Sequence, residues 1–369
     1  MKKRLTLFLT LTLGSFAFAD YPPPIQTIFV IVLENHNWNG IKGNPDAPYI
    51  NSTLLPMASY CEQYYNPPAI HPSLANYLWM EAGTNFGILN GDNPSINHQP
   101  TTNHLVSLLQ RAGISWKAYQ EDIDGLSVPL TDSNGYAVRH DPFVYFDDVT
   151  GTNNPNWAYG ISHIRPYSEF YADLTDNTVG RYNFITPSVC HDGHDLCDPF
   201  YNHVRQMDAW LATEIPRILA SNIYAHNGVI FITWDEGEGG DGPIGMIVLS
   251  PFARGGGYSN NVHYTHSSLL RTVQEILGVG PLLNDAANAN NLADLFTPFS
   301  ITKATLLTNG FQLTFAGATP DRTNIVETSD DLLTWLPVHT NVSGVGDLTI
   351  TDSTATNSTQ RFYRVRELP

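Results

Sequence analysis

Two apolar runs that each stop dead at a polar pair constrain this chain more than any other feature. Ile25–Leu33 (IQTIFVIVL) ends at Glu34-Asn35, and Gly228–Thr233 (GVIFIT) passes through Trp234 to end at Asp235-Glu236. Near-continuous apolar runs rich in Val and Ile are strands buried on both faces, the mark of a parallel sheet covered by helices. Open sheets of that kind bind ligands in the crevice beyond the carboxyl ends of their strands. The two pairs are therefore expected at the edge of one crevice.

The rest of the chain agrees. Further strands are expected at Ser115–Tyr119, Tyr182–Thr186 and Ile244–Leu249. Helices are expected at Asn103–Arg111, Met207–Leu219 and Ser267–Leu277, where Leu and Ile recur at three- and four-residue spacing. Thr101-Thr102-Asn103 and Thr265 are candidate helix N-caps. Asn85–Pro100 and Asp147–Trp157, rich in Gly, Asn, Pro and Asp, read as surface loops. After Phe299 the helical period disappears. Short alternating segments at Ala304–Leu307, Phe311–Phe315, Asn324–Thr328, Leu348–Thr351 and Gln360–Val365 suggest a small β-sandwich. The expected architecture is α/β, a central, mostly parallel sheet sandwiched by helices over residues 20–299. A C-terminal antiparallel β-sandwich over 300–369 follows as an accessory domain.

Residues 1–19 have the form of a secretory signal, with Lys2-Lys3-Arg4, an apolar stretch Leu5–Leu13 and Ala17-Phe18-Ala19 before Asp20. The expected location is secreted or periplasmic. The formal charge is −17, and −20 once the three basic side chains of that segment are removed. Such a surface opposes nucleic-acid binding, which needs a basic face. A phosphate-bearing substrate would need a local positive device, such as a metal ion, imidazoles or a helix N-terminus. Of the three cysteines, Cys190 and Cys197 would close a small loop in an oxidising compartment, with zinc ligation the alternative. Cys61 is left as a buried thiol.

Glu34, Asn35, Asp235 and Glu236 together offer oxygen ligands to a divalent cation. Ser73, within His71-Pro72-Ser73-Leu74-Ala75-Asn76, sits where a helix should begin, and its exposed N–H groups favour anions. A metal ion could lower the Ser73 hydroxyl pKa and make it a nucleophile. Asn76, one turn on, could donate its amide to a substrate oxygen. His140 in RHDPF and His194 in the Cys190–Cys197 loop could ligate metal, bind phosphate, act as acids or simply lie at the surface. His71, Asp192 and His266 are second-tier candidates, His266 also as a helix cap.

Taken in order, the ENHNW, HPSLANY, RHDPF, CHDGHD and WDEG segments resemble the phosphoesterase family of acid phosphatases and phosphocholine-specific phospholipases C. The resemblance spans about residues 25–298 and implies an alkaline-phosphatase-like fold. It implies a metal, of the Mg, Ca, Zn or Fe type, on Glu34, Asn35, Asp235 and Glu236 with Ser73 completing the shell. Ser73 would then form a phosphoenzyme, with Asn76, His140 and His194 binding phosphoryl oxygens or protonating the leaving group. His191, Asp141 and Gly237 stand where relatives often have Asn, Asn and His. The expected activity is hydrolysis of phosphate monoesters; the alternatives are a phospholipase C-type phosphodiesterase and a secreted binding or adhesion protein. Expected partners are phosphate-ester small molecules or lipid headgroups, with no transmembrane segment and an unknown ligand for the C-terminal module.

Overall fold

A computed structural model describes residues 25–296, 300–308, 310–316, 323–342, 348–357 and 360–368. The signal-like segment 1–19 lies outside them. The described residues fall into two compact units, one up to residue 296 and one from residue 300.

Ten strands belong to the first unit: β1 (Thr27–Leu33), β2 (Ser59–Cys61), β3 (Tyr64–Tyr65), β4 (Trp116–Gln120), β5 (Ile164–Pro166), β6 (Tyr182–Thr186), β7 (Gly228–Trp234), β8 (Met246–Leu249), β9 (Tyr258–Asn260) and β10 (Tyr264–Thr265). Eight form one sheet in the order β5-β4-β6-β1-β7-β8-β2-β9, while β10 and β3 pair separately. β4, β5, β6, β1 and β7 run parallel, and β8 reverses against both β7 and β2. Every residue of β1 and of β7 is buried, as the unbroken apolar runs require. Helices Ser73–Ala82, Leu105–Arg111, Tyr167–Asp176, His203–Leu219 and His266–Leu277 accompany the sheet. Thr265 caps the last one in a reciprocal capping box with Ser268.

Three expectations need correction. His104, not a Thr101–Asn103 residue, is the N-cap of Leu105–Arg111, and its side chain makes no capping bond. The stretches read as plain loops contain one-turn helices at Pro94–Asn97 and Asp147–Thr150. Each is too short to show a hydrophobic period.

The second unit is two three-stranded antiparallel sheets. One has the order β11 (Ser300–Leu307), β12 (Gly310–Ala316), β15 (Leu348–Asp352). The other has the order β14 (Leu336–Val342), β13 (Thr323–Ser329), β16 (Phe362–Leu368). Leu313, Phe315 and Ile350 from the first pack with Val326 from the second, giving a sandwich core. β14, whose Pro337 reads as a strand breaker, is absent from the strands read off the sequence.

Candidate active site

The central strands deliver acids to one place. β1 ends at Leu33, and Asn35 then takes a left-handed conformation (φ 49°) that Asn tolerates better than most residues. That turn sends the Glu34 carboxylate inward while the Asn35 N–H donates to Asp235 Oδ1 at 3.0 Å, joining the ends of β1 and β7. Glu34, Asp192 and Asp235 are all 0% exposed, and Glu236 is 8%. Asp192 comes from the loop after β6, anchored where the Glu34 N–H donates to the Asp192 carbonyl.

Ser73 is the first residue of its helix, behind Pro72 as N-cap, so its hydroxyl is free of capping duty. It donates to Glu34 Oε2 at 3.2 Å. Four residues on, and hence on the same helix face, Tyr77 donates to Glu34 Oε1 at 2.6 Å. Asn76 donates to Glu236 Oε2 at 2.7 Å and to the Ile70 carbonyl at 3.0 Å, so its amide hydrogens hold an acid and the preceding turn. His140 stacks flat on Tyr77, with ring centres 5.3 Å apart. Its Nδ1 lies 3.3 Å from Asp192 Oδ2 and its Nε2 3.5 Å from Glu34 Oε1. Asp192 Oδ1 accepts the His194 N–H at 2.8 Å. The His194 ring stands between Asp195 (2.7 Å from Nδ1) and Arg139, which donates to Nε2 at 3.3 Å.

Burial pushes the Glu34 carboxyl well up, and the charges of Asp235 and Asp192 push it further. Burial likewise raises Asp192 and Asp235, while burial and Asp235 push Glu236 up to about 9. Burial, with Arg139 and His194 nearby, holds His140 well below the usual imidazole range. The site thus gathers four carboxylates that resist ionising together. Asp192 Oδ2, Asp235 Oδ2 and His140 Nε2 are buried without a hydrogen-bond partner. Bare acceptors of this kind are costly unless a cation answers them, so the donor set fits a divalent metal ion. Ligand atoms of Glu34, His140 and His194 lie within 4.8 Å of one another, close enough to share an ion.

The sequence candidates sort cleanly. Glu34, Asn35, Ser73, Asn76, His140, Asp192, His194, Asp235 and Glu236 are linked into one network. His71 is not in it; the ring is partly exposed and pairs with Asp241 at 2.9 Å. His266 is buried behind the site and steadies Asp235 from its main chain. Its Nε2–H donates to the Asp235 carbonyl at 2.6 Å, which leaves Nδ1 to accept from Tyr64 OH at 3.2 Å. Burial lowers its pKa to about 4, in keeping with a neutral ring. Cys190 and Cys197 form the disulfide, and Cys61 is a buried thiol whose pKa burial pushes up. Sequence reading missed Tyr77 and Arg139. The signal for Tyr77 was available in its i+4 spacing from Ser73.

A model of the phosphoesterase family matches residues 45–280. The chain is 27% identical over 275 residues to a phosphatidylinositol-3-phosphatase of Mycobacterium tuberculosis, covering 74% of this chain and 84% of that one. It is 27% identical over 234 residues to a phosphate-repressible acid phosphatase of Penicillium chrysogenum, covering 60% of this chain and 53% of that protein, about half its length. Among solved structures it is similar to a protein of the alkaline phosphatase superfamily from Vibrio parahaemolyticus, with 10% identity, TM-score 0.47, and coverage of 86% and 83%. The chain belongs to the phosphoesterase family, whose chemistry is hydrolysis of phosphate-ester bonds.

Proposed function

We propose that this protein is an exported, metal-dependent phosphomonoesterase acting through a phosphorylated Ser73. The observation that carries the reading is a serine hydroxyl at a helix N-terminus bonded to the buried Glu34, beside two further buried acids with bare oxygens, Asp192 and Asp235. Both relatives above are named as phosphatases, which favours monoesters over diesters. The Cys190–Cys197 disulfide suits an oxidising compartment, in keeping with a signal at residues 1–19. No helix among the described residues is long and apolar enough to cross a membrane.

Glu34, Asn35, Asp235 and Glu236 with Ser73 would hold the ion, and His140 lies within reach of Glu34 to join them. Bound there, a divalent cation would neutralise the acids, favour the Ser73 alkoxide and polarise the phosphoryl oxygens. Glu34 Oε2, already accepting the Ser73 proton, directs the Oγ lone pairs toward an incoming phosphorus. The Ser73 Oγ–P bond forms as the P–O ester bond breaks. His194, 29% exposed and so open to proton exchange, gives a proton to the departing alkoxide. Water then attacks the phosphoserine, returns a proton to His194 and frees phosphate and Ser73. Tyr77 and Asn76 keep Glu34 and Glu236 oriented throughout.

The test compares p-nitrophenyl phosphate with p-nitrophenyl phosphorylcholine from acid to alkaline pH, with and without chelator. Monoester preference lost on chelation, and a phosphate trapped on Ser73 by mass spectrometry, are the expected results. Ser73→Ala should abolish turnover while leaving the fold intact. Preference for the choline ester would move the assignment to a phosphodiesterase, and silence on both would overturn the hydrolase reading.

A further inference from the structure

Asp192 and His194 reach the site from a segment that belongs to no strand or helix. Residues 187–202 bridge β6 and the helix His203–Leu219, and from residue 190 on they lie largely at the surface. One side chain gathers that segment. Gln206, 4% exposed, donates through Nε2 to the Cys190 carbonyl at 2.6 Å and to the Asp195 carbonyl at 2.8 Å. Its Oε1 accepts the Cys197 N–H at 2.9 Å and the Asn202 N–H at 3.2 Å. Both amide hydrogens and both lone pairs are therefore used on main-chain groups of the one loop. Two of the four bonds fall on the two halves of the Cys190–Cys197 disulfide, and a third falls on Asp195, next to His194. The helix supplying Gln206 is itself fixed. Asn202 caps it by accepting the Arg205 N–H, and the next residue, Met207, accepts from Trp234 Nε1 at the end of β7. Gly193, between Asp192 and His194, packs so tightly on Met207 that a Cβ there would lie 2.4 Å from Met207 Cε.

We infer that Gln206 is the positioning residue for Asp192 and His194. It touches neither substrate nor the reacting atoms. Its amide fixes the covalent ring on which the two residues ride, and so holds His140's neighbour and the candidate proton donor against Glu34. A carboxamide is required. A carboxylate has no hydrogens for the Cys190 and Asp195 carbonyls, and a thioether has no counterpart to either half. The inference rests on the hydrolase reading for its catalytic consequence only.

The test uses the full chain with Gln206→Glu, which keeps shape and loses both donors. Gln206→Met keeps volume and serves if the first variant fails to fold. Ala212→Gly weakens the same helix without touching the loop and controls for general loosening. Three readouts are taken: kcat and KM for p-nitrophenyl phosphate, affinity for Mn²⁺ by calorimetry, and amide hydrogen exchange across residues 190–197. Outer partners of metal sites typically matter by 10–100-fold. Gln206→Glu should accordingly lower kcat by roughly 10–100-fold with KM little changed, weaken Mn²⁺ on a similar scale, and speed exchange in 190–197 alone. Unchanged exchange with wild-type kcat would overturn the inference, as would Ala212→Gly reproducing all three effects. Should the wild type hydrolyse no phosphate ester, the hydrolase reading falls, and exchange with Mn²⁺ affinity still decides the role of Gln206.

Discussion

Removing the cation should destabilise the catalytic unit, and the loss should grow with pH. The perturbation is chelation, compared with saturating Mn²⁺ or Zn²⁺, at pH 5 and pH 8. Glu236 illustrates the size. Burial and Asp235 move its pKa from 4.5 to about 9, and a tenfold change in proton affinity between folded and unfolded chain is worth about 1.4 kcal/mol. The ceiling is therefore about 6 kcal/mol, and sharing protons with the neighbouring buried acids, Asp235 first, keeps the contribution below it. Because the folded carboxyls hold protons that the unfolded chain has already released, stability without metal falls as pH climbs from about 4.5 toward about 9. A cation at about 100 times its Kd restores ~2.7 kcal/mol, and it binds the deprotonated acids best, so its benefit is larger at pH 8. At about 2–4 °C per kcal/mol for a protein of this size, chelation should cost roughly 6–12 °C in Tm at pH 8 and much less at pH 5. Scanning calorimetry on the two states gives the numbers. Glu236→Gln, neutral throughout, should flatten the pH dependence of the metal-free protein. A chelator-insensitive Tm, or an equal loss at both pH values, would refute the reasoning.

Asp235→Asn keeps the Asn35 N–H bond and removes a charge, so divalent-metal affinity measured by calorimetry should fall by roughly tenfold or more. Tyr77→Phe strips a donor from a buried carboxylate and should cost about 1.5–3 kcal/mol in a urea melt of the metal-loaded protein. His104, fully buried between Glu81 (2.9 Å) and Asp148 (3.0 Å), offers a purely structural test. Burial lowers its pKa, but Asp148 and Glu81 more than offset that and raise it above 6.5. Its stabilising share is thus full below about pH 6.5 and lost as pH rises through the folded value. His104→Gln should cost about 3–5 kcal/mol at pH 6 by chemical denaturation, because a neutral amide leaves Glu81 and Asp148 with no cation between them.

Legibility in the sequence tracked the length and burial of each element. β1, β6 and β7 are buried along their whole length, so their apolar runs mark them within two residues at each end. β2, β3, β5, β9 and β10 have two or three residues each and carry no period to read. At the site, Glu34-Asn35 and Asp235-Glu236 were readable because each pair terminates a long strand. Asp192 was not ranked with them, since a loop acid is ordinarily solvated and only the tertiary fold drives this one to full burial. Gln206 left no trace at all. A glutamine in an amphipathic helix looks like a surface residue until the loop that folds over it is known.

The candidate site is assembled from residues 34, 73, 140, 192 and 235, the first and last of them 201 positions apart in the chain. No stretch of a few dozen residues holds two of its strand-end pairs. During synthesis, β1 must wait for β7 before Asn35 can reach Asp235. Long-range pairing of this kind is slow to form. It follows that an ion held by these residues could not act as an early template. Uptake of such an ion would come after the sheet has closed, so metal loading of a nascent or truncated chain would report that the central sheet is complete.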